Sequence, residues 1–167
     1  MPLSGRSRFP VFPFVAVILS SLSIAVVSCR DKPRPSKEFV GTTAFGYIQT
    51  QIGFGPRVPG TKAHEQMGDW LDSLLRGRAD TVIVQSWKHV TAAGATLQLR
   101  NFIARFNPAA GNRLLLLAHW DSRPVSDSPR SQDSSKAVLG ANDGGSGVAL
   151  LLGVADALKR APPAVGV

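Results

Sequence analysis

Two stations in the chain carry residue types that could do chemistry together. The first is His119-Trp120-Asp121, directly after the run Arg113 to Ala118 (RLLLLA); the second is Asp143, 22 residues after Asp121 in the turn Gly140 to Gly147 (GANDGGSG). Imidazole nitrogen and carboxylate oxygen are ligands that suit Zn²⁺. In a strand, residues two apart point to the same side, so Asp121 can reach the ring nitrogen of His119 that a metal leaves free. A carboxylate there fixes the tautomer and raises the basicity of a metal-binding imidazole. The glycines around Asp143 allow a tight turn and leave room above the carboxylate. The same letters also fit a satisfied buried histidine and a helix N-cap, because two candidate ligands do not by themselves make a site.

The elements that must position these residues read as follows. A helix is plausible from Glu38 to Gln51, with Gly41 and Gly46 against it. The segment Gly53 to Gly60 (GFGPRVPG) breaks it. A second helix runs from Thr61 to Arg76, with Thr61 able to cap and Met67, Trp70, Leu71, Leu74 and Leu75 at helical spacing. Thr81 to Val90 and Thr96 to Asn107 are β-type runs separated by a turn containing Ala-Ala-Gly, which reads as a hairpin. Four consecutive leucines, Leu114 to Leu117, suit a central strand covered on both faces. Ser122 to Ala137 is a long polar loop, of the length that in compact domains is usually functional or disordered. The helix Val148 to Lys159 is apolar nearly all round and belongs in an interior layer. These elements make an α/β fold, three-layer α/β/α with a central mixed sheet, incomplete at the C-terminus. A strand's carboxyl end and the turn entering a helix, where the two stations fall, are where such sheets place ligands.

Residues 1–28 read as an export signal: Arg6 and Arg8 precede the uncharged run Val11 to Ser28. The small residue Ser28 before Cys29, the only cysteine, resembles the lipobox of bacterial lipoproteins, which implies lipidation of Cys29. Ordinary cleavage and an uncleaved anchor are the alternatives, the run being slightly short for a span. Residues 29–37, charged and proline-rich, read as a tether, and residues 38–167 as the domain. The net charge of +8 follows this division. Arg6 and Arg8 leave with the signal, and Arg30, Lys32, Arg34 and Lys37 lie in the tether, where they can approach anionic lipid. Residues 38–167 hold 13 basic and 10 acidic side chains, so no nucleic-acid partner is needed to explain the charge. One cysteine also excludes a disulfide framework within the chain.

HWDSRP (His119 to Pro124) followed by LGANDGGSGVALLL (Leu139 to Leu152) resembles the M28 zinc peptidase superfamily, which includes aminopeptidases and glutaminyl-peptide cyclotransferases. GPRVPGTKAH (Gly55 to His64) and the stretch Asn101 to Ala104 match its usual order. The resemblance implies that Asp143 binds metal, bridging two ions in two-zinc members and holding one in cyclotransferases. It implies that His119 ligates the second ion of the two-zinc members and that Asp121 supports His119 from beneath. Trp120, where many aminopeptidases carry tyrosine, looks more like the bacterial cyclases; Trp120 and Arg123 are otherwise read as packing and surface residues with no catalytic role.

In that superfamily a strand with a Glu-Glu pair, supplying the general base and a ligand, follows, and further aspartate and histidine ligands come after it. Here Asp156 is the one carboxylate side chain after Asp143, and no histidine follows His119. A catalytic zinc usually has three protein ligands and a water, with a base to take the proton. Glu65, His64 and His89 are conceivable but unsupported substitutes, and His89 is read as structural. His64-Glu65 lacks the following histidine of the helical zinc motif. Gly144 to Val148 lacks the glycine two places after serine that a nucleophile elbow needs, and the turn lacks a P-loop lysine.

The resulting expectation is an exported, lipid-anchored front portion of a zinc enzyme acting on peptide or protein N-termini. It leans to cyclisation of N-terminal glutamine, with one zinc, over aminopeptidase hydrolysis, with two, and is inactive as this chain. A lipid-anchored binding protein without catalysis is the further alternative.

Overall fold

The computed structural model describes residues 38–127, 130 and 133–167. The signal, the tether, Cys29 and residues 128, 129, 131 and 132 of the polar loop lie outside them. Helix α1 spans Gly41–Gly53, α2 Lys62–Arg76 and α3 Gly145–Arg160; strands β1 (Thr81–Val90) and β2 (Thr96–Arg105) lie between α2 and α3 in sequence. The result is an incomplete α/β fold.

Helix α2 forms where its spacing predicts. The Thr61 hydroxyl accepts from the His64 backbone N–H at 3.3 Å, satisfying one of the donors a helix start leaves open. Its apolar stripe buries Met67 and Leu71 against Val148 and Leu152 of α3, with Trp70, Phe102 and Trp120 packed around them. Full burial of a side chain the size of Met67 or Leu152 contributes about 1.5–3 kcal/mol. Helix α1, rich in glycine and threonine, has weak intrinsic propensity and begins at Gly41, later than its letters suggest. Packing on α3 supports it, and its Tyr47 hydroxyl donates to Asp156 of α3 at 2.6 Å. Arg78 closes that contact into a half-buried triangle, donating to Asp156 at 2.6 Å and to the Tyr47 oxygen at 2.8 Å.

The expected hairpin is present as ten antiparallel pairs from Thr81↔Arg105 to Val90↔Thr96. Its β2 strand ends at Arg105, two residues before Asn107, whose φ of 49° is left-handed.

The leucine run, whose letters call for cover on both faces and whose missing neighbours are expected to leave an exposed edge, is uncovered. Leu114 to Leu117 are 60%, 78%, 45% and 81% exposed rather than covered on both faces. Among the described residues this segment joins no named strand. Its ladder contact is a parallel bridge between Arg113 and Gly166, in which Leu114 N–H donates to the Gly166 carbonyl at 2.8 Å. Consecutive leucines call for layers on both sides and strands at both edges, and the described residues supply neither. Among the described residues the named strands form one antiparallel pair, consistent with the expected α/β fold being incomplete. The same cause leaves Leu150 on α3 53% exposed, while Val148, Ala149, Leu152 and Ala155 of that helix are buried.

His64 is 3% exposed and stacks on Trp120 with ring centroids 4.0 Å apart. Burial, and secondarily the charge of Arg100, lowers its pKa from the ordinary histidine value. The unfolded chain then takes up a proton at a higher pH than the folded one. Stability should hold above about pH 6.5 and fall as pH drops below it toward the folded pKa. Urea unfolding between pH 8 and 5 checks this, and His64→Phe should remove the part of the slope due to this ring.

Candidate metal centre

The strand-end station and the helix-entry turn meet. His119 Nε2 lies 3.1 Å from Asp143 Oδ1, and His119 Nδ1 lies 3.3 Å from Asp121 Oδ1. The alternation that places His119 and Asp121 on one side sends Trp120 to the other. There its indole N–H donates to the Arg100 carbonyl at 3.0 Å, and its ring contacts Phe102 and His64. Trp120 is thus a packing residue, as its letters suggest.

Asp143 does not cap α3. The N-cap is Gly144, with no side-chain cap bond, and φ there is 83°, a left-handed conformation natural to glycine. A Cβ at Gly144 would stand 2.9 Å from His119 Cε1, so the missing side chain is what lets the imidazole lie against the turn. Asp143 meanwhile sits at the start of α3, where the partial positive charge of the helix favours a carboxylate.

A buried arginine joins the two stations. Arg57, from the proline- and glycine-rich segment before α2, is 0% exposed. Its Nε donates to the Trp120 carbonyl at 2.9 Å, Nη1 to Leu139 at 2.7 Å and Nη2 to Gly140 at 2.8 Å. Its own carbonyl accepts from Ser122 N–H at 3.1 Å. Burial lowers the Arg57 pKa, and the carboxylates of Asp121 and Asp143 oppose that shift. Gly140 (φ 65°) makes the approach possible, since a Cβ there would stand 2.8 Å from Arg57 Nη2. Gln51 of α1, also fully buried, donates to the Gly145 carbonyl at 3.0 Å and steadies the start of α3.

Arg123 is the second residue that the sequence reading left without a role at the centre. It is two places beyond Asp121 and so continues the same alternation. Its Nη2 donates to Asp143 Oδ2 at 2.9 Å, and its Nη1 to Asp127. The Asp143 pKa is lowered, chiefly by this hydrogen bond and further by the charges of Arg123 and His119. The carboxylate therefore stays ionised, as a ligand must be.

His119, Arg123, Asn142, Asp143 and Ser146 line an open cleft of about 520 Å³. The donor set fits part of a zinc site: one imidazole nitrogen and one carboxylate oxygen converge there, and Asp121 occupies the outer ring nitrogen. Among the described residues no three His, Cys, Asp or Glu side chains group to hold an ion. His64 is engaged on the far side of Trp120, Glu65 is exposed on α2, and His89 is exposed on β1 opposite Leu97.

His119, just after the leucine segment, and Asp143, at the entry to α3, thus stand together on an α/β frame. Residues 101–167 match the model of Peptidase family M28, which bears out the resemblance to that superfamily. Solved structures agree across 77% of this chain. The glutaminyl cyclase of Tannerella forsythia is 40% identical with a TM-score of 0.73, 44% of its own chain being covered. A Zn-dependent exopeptidase from Parabacteroides distasonis is 41% identical, with TM-score 0.73 and 44% covered. A leucine aminopeptidase precursor from Bacteroides thetaiotaomicron is 36% identical, with TM-score 0.74 and 45% covered. The chain thus spans less than half the length of these structures.

Replacing Arg57 with methionine keeps the bulk but removes three hydrogen bonds, one buried, to Gly140, and two part-buried, to Trp120 and Leu139. A buried orphaned acceptor costs roughly 1–3 kcal/mol, so a loss of about that size is expected in urea unfolding. A loss under about 1 kcal/mol would show that the guanidinium bonds do not hold the stations together.

Proposed function

We propose that the chain is the front portion of a zinc-dependent M28-type enzyme acting on peptide N-termini, with glutaminyl-peptide cyclisation as its reaction. The observation that carries the metal reading is the convergence of His119 Nε2 and Asp143 Oδ1 at 3.1 Å on the wall of an open cleft. Asp143 would hold metal in either reading, and His119 would hold the second ion in the two-zinc one, with Asp121 keeping its ring in the tautomer that leaves Nε2 free. Bound zinc supplies Lewis acidity toward an amide carbonyl. This chain's own residues bind and orient: Arg57 fixes the distance between the two stations, and Gly144 gives the imidazole its place. On this reading, the general base and remaining ligands are assigned to the portion of an M28-type enzyme that this chain does not span.

The cyclase reading draws support from Trp120 in HWDSRP and from the glutaminyl cyclases among the similar structures. Aminopeptidase hydrolysis is the second reading, favoured by the exopeptidase and aminopeptidase likenesses. The two differ in nucleophile, the substrate's own amine or a water, and in ion count, one or two.

The 167-residue protein loaded with zinc should neither cyclise an N-terminal glutamine peptide nor release N-terminal residues above the zinc-only background. Turnover at an enzymatic rate would overturn the assignment of the base and remaining ligands to the unspanned portion. Joining the complementary part of the Tannerella forsythia cyclase should restore cyclisation rather than hydrolysis, and restored hydrolysis would favour the second reading.

We also propose lipidation at Cys29 and a cell-envelope location, on the lipobox-like letters alone. Cys29→Ala should leave the precursor out of the membrane fraction; unchanged fractionation would count against the anchor.

A further inference from the structure

Helices α1 and α3 pack antiparallel, and the two ends of the pair differ in character. At one end Gln51 bonds the Gly145 carbonyl, beside the turn that bears Asp143; at the other, Arg160 Nη2 donates to the Glu38 carbonyl at 2.7 Å. This second end exposes large apolar side chains in or just before the first turns of α1: Phe39 is 43% exposed, Val40 42% and Phe45 60%. Phe39 is held in place, because its ring lies against Gly153 of α3 in the space that a Cβ there would take. Exposed Lys159 and Arg160 close α3 beside it, set against the single charge of Glu38. Helix α1 carries no charged residue over Gly41–Gly53, so it adds no carboxylate to this end.

Aromatic and aliphatic side chains flanked by bases suit the boundary of an anionic bilayer, where the rings sit among the headgroups and the cations reach the phosphates. The sequence also keeps this end near the membrane. Cys29, the proposed lipidation site, is nine residues before Glu38, and nine residues extend to at most roughly 30 Å. Arg34 and Lys37 add positive charge within four residues of Glu38. We propose that the start of α1, through Phe39, Val40 and Phe45, together with the Lys159-Arg160 end of α3, is a docking surface for anionic lipid. The domain then rests on the bilayer by this end instead of swinging free on its tether. Helix α3 has 16 residues and runs about 24 Å, so the turn bearing Asp143 is held up to that distance from the lipid. The inference goes beyond the enzymatic reading and rests on the membrane location proposed above, whichever group anchors the chain there.

Phe45 is more than half exposed, so putting the photo-crosslinker benzoylphenylalanine in its place should leave the fold intact. The full 167-residue protein is reconstituted in vesicles of phosphatidylglycerol or of phosphatidylcholine and irradiated, and the adducts are identified by mass spectrometry. On phosphatidylglycerol the crosslinker at Phe45 should form phospholipid adducts. It should form few at Trp87, 41% exposed on the hairpin, or at Leu117, 81% exposed beside the cleft. Lys159→Gln should lower the yield at Phe45 by up to roughly fivefold on phosphatidylglycerol, the worth of one base near an anionic surface, and leave it unchanged on phosphatidylcholine. Lys88→Gln, which removes the same charge from β1, should leave both yields unchanged.

No lipid adduct at Phe45, or a yield no greater than at Trp87, would overturn the inference. So would a protein–protein adduct in place of the lipid one, which would give this end to a second copy. Stronger lipid labelling at Leu117 would overturn it too, by turning the leucine face to the bilayer. Equal yields at Phe45 on the two lipids, with no effect of Lys159→Gln, would refute the anionic preference and with it the docking surface as stated. The readings fail separately. Unchanged fractionation of Cys29→Ala removes the lipid anchor and leaves adducts at Phe45 standing, whereas a mislocalised Cys29→Ala protein with no adduct at Phe45 removes the docking surface alone.

Discussion

The geometry of the centre depends on one buried cation. Arg57 sits between two segments that the chain separates by about twenty residues and bonds to carbonyls on both, at Trp120 and at Leu139 and Gly140. A guanidinium suits this task because its planar fork presents several donors in fixed directions. Taking it out of water is unfavourable, and the three carbonyls with the nearby carboxylates of Asp121 and Asp143 are what offset that penalty. A hydrophobic residue of similar size would fill the space yet leave the acceptors unpaired. His119 and Asp143 lie in register because the backbones carrying them are bound to the same side chain.

From that constraint the rest follows in layers. Trp120 drives one side of the strand-end segment into the core with His64 and Phe102, which turns His119 and Asp121 toward the cleft. Val148 and Leu152 pack the first turns of α3 against Met67 and Leu71, which sets the height of the turn bearing Asp143. At the far end of α3, the triangle of Tyr47, Arg78 and Asp156 ties the helix to α1 and to the end of α2. The half of the centre present here is thus braced from three directions, and its other face opens to solvent beside the exposed leucines.

Much of this was legible in the letters. The Thr61 cap and the spacing of Met67, Trp70 and Leu71 gave α2, and the β-branched runs around Ala92-Ala93-Gly94 gave the hairpin, because both patterns are local. The His-x-Asp alternation and the glycines around Asp143 marked the two stations for the same reason. Arg57 was not legible: a buried arginine in a proline-glycine turn has no periodicity, and its partners are backbone carbonyls, which leave no letter. Arg123 was read as a surface residue, although its place two residues past Asp121 was the available signal. The leucine run reads as a central strand needing cover on both faces, with its missing neighbours leaving an exposed edge; the described residues leave it exposed and in no named strand, because cover depends on neighbours that four leucines cannot name.

The central claim is that Arg57 and the α3 turn hold His119 Nε2 and Asp143 Oδ1 as two ligands of one cation. Zinc-edge anomalous diffraction from a zinc-soaked crystal of this chain tests it most directly. The account predicts a single peak at roughly 2.0–2.2 Å from both atoms, with Asp121 on the far ring nitrogen. A peak ligated by other residues, with His119 and Asp143 still in contact and no metal between them, would contradict it.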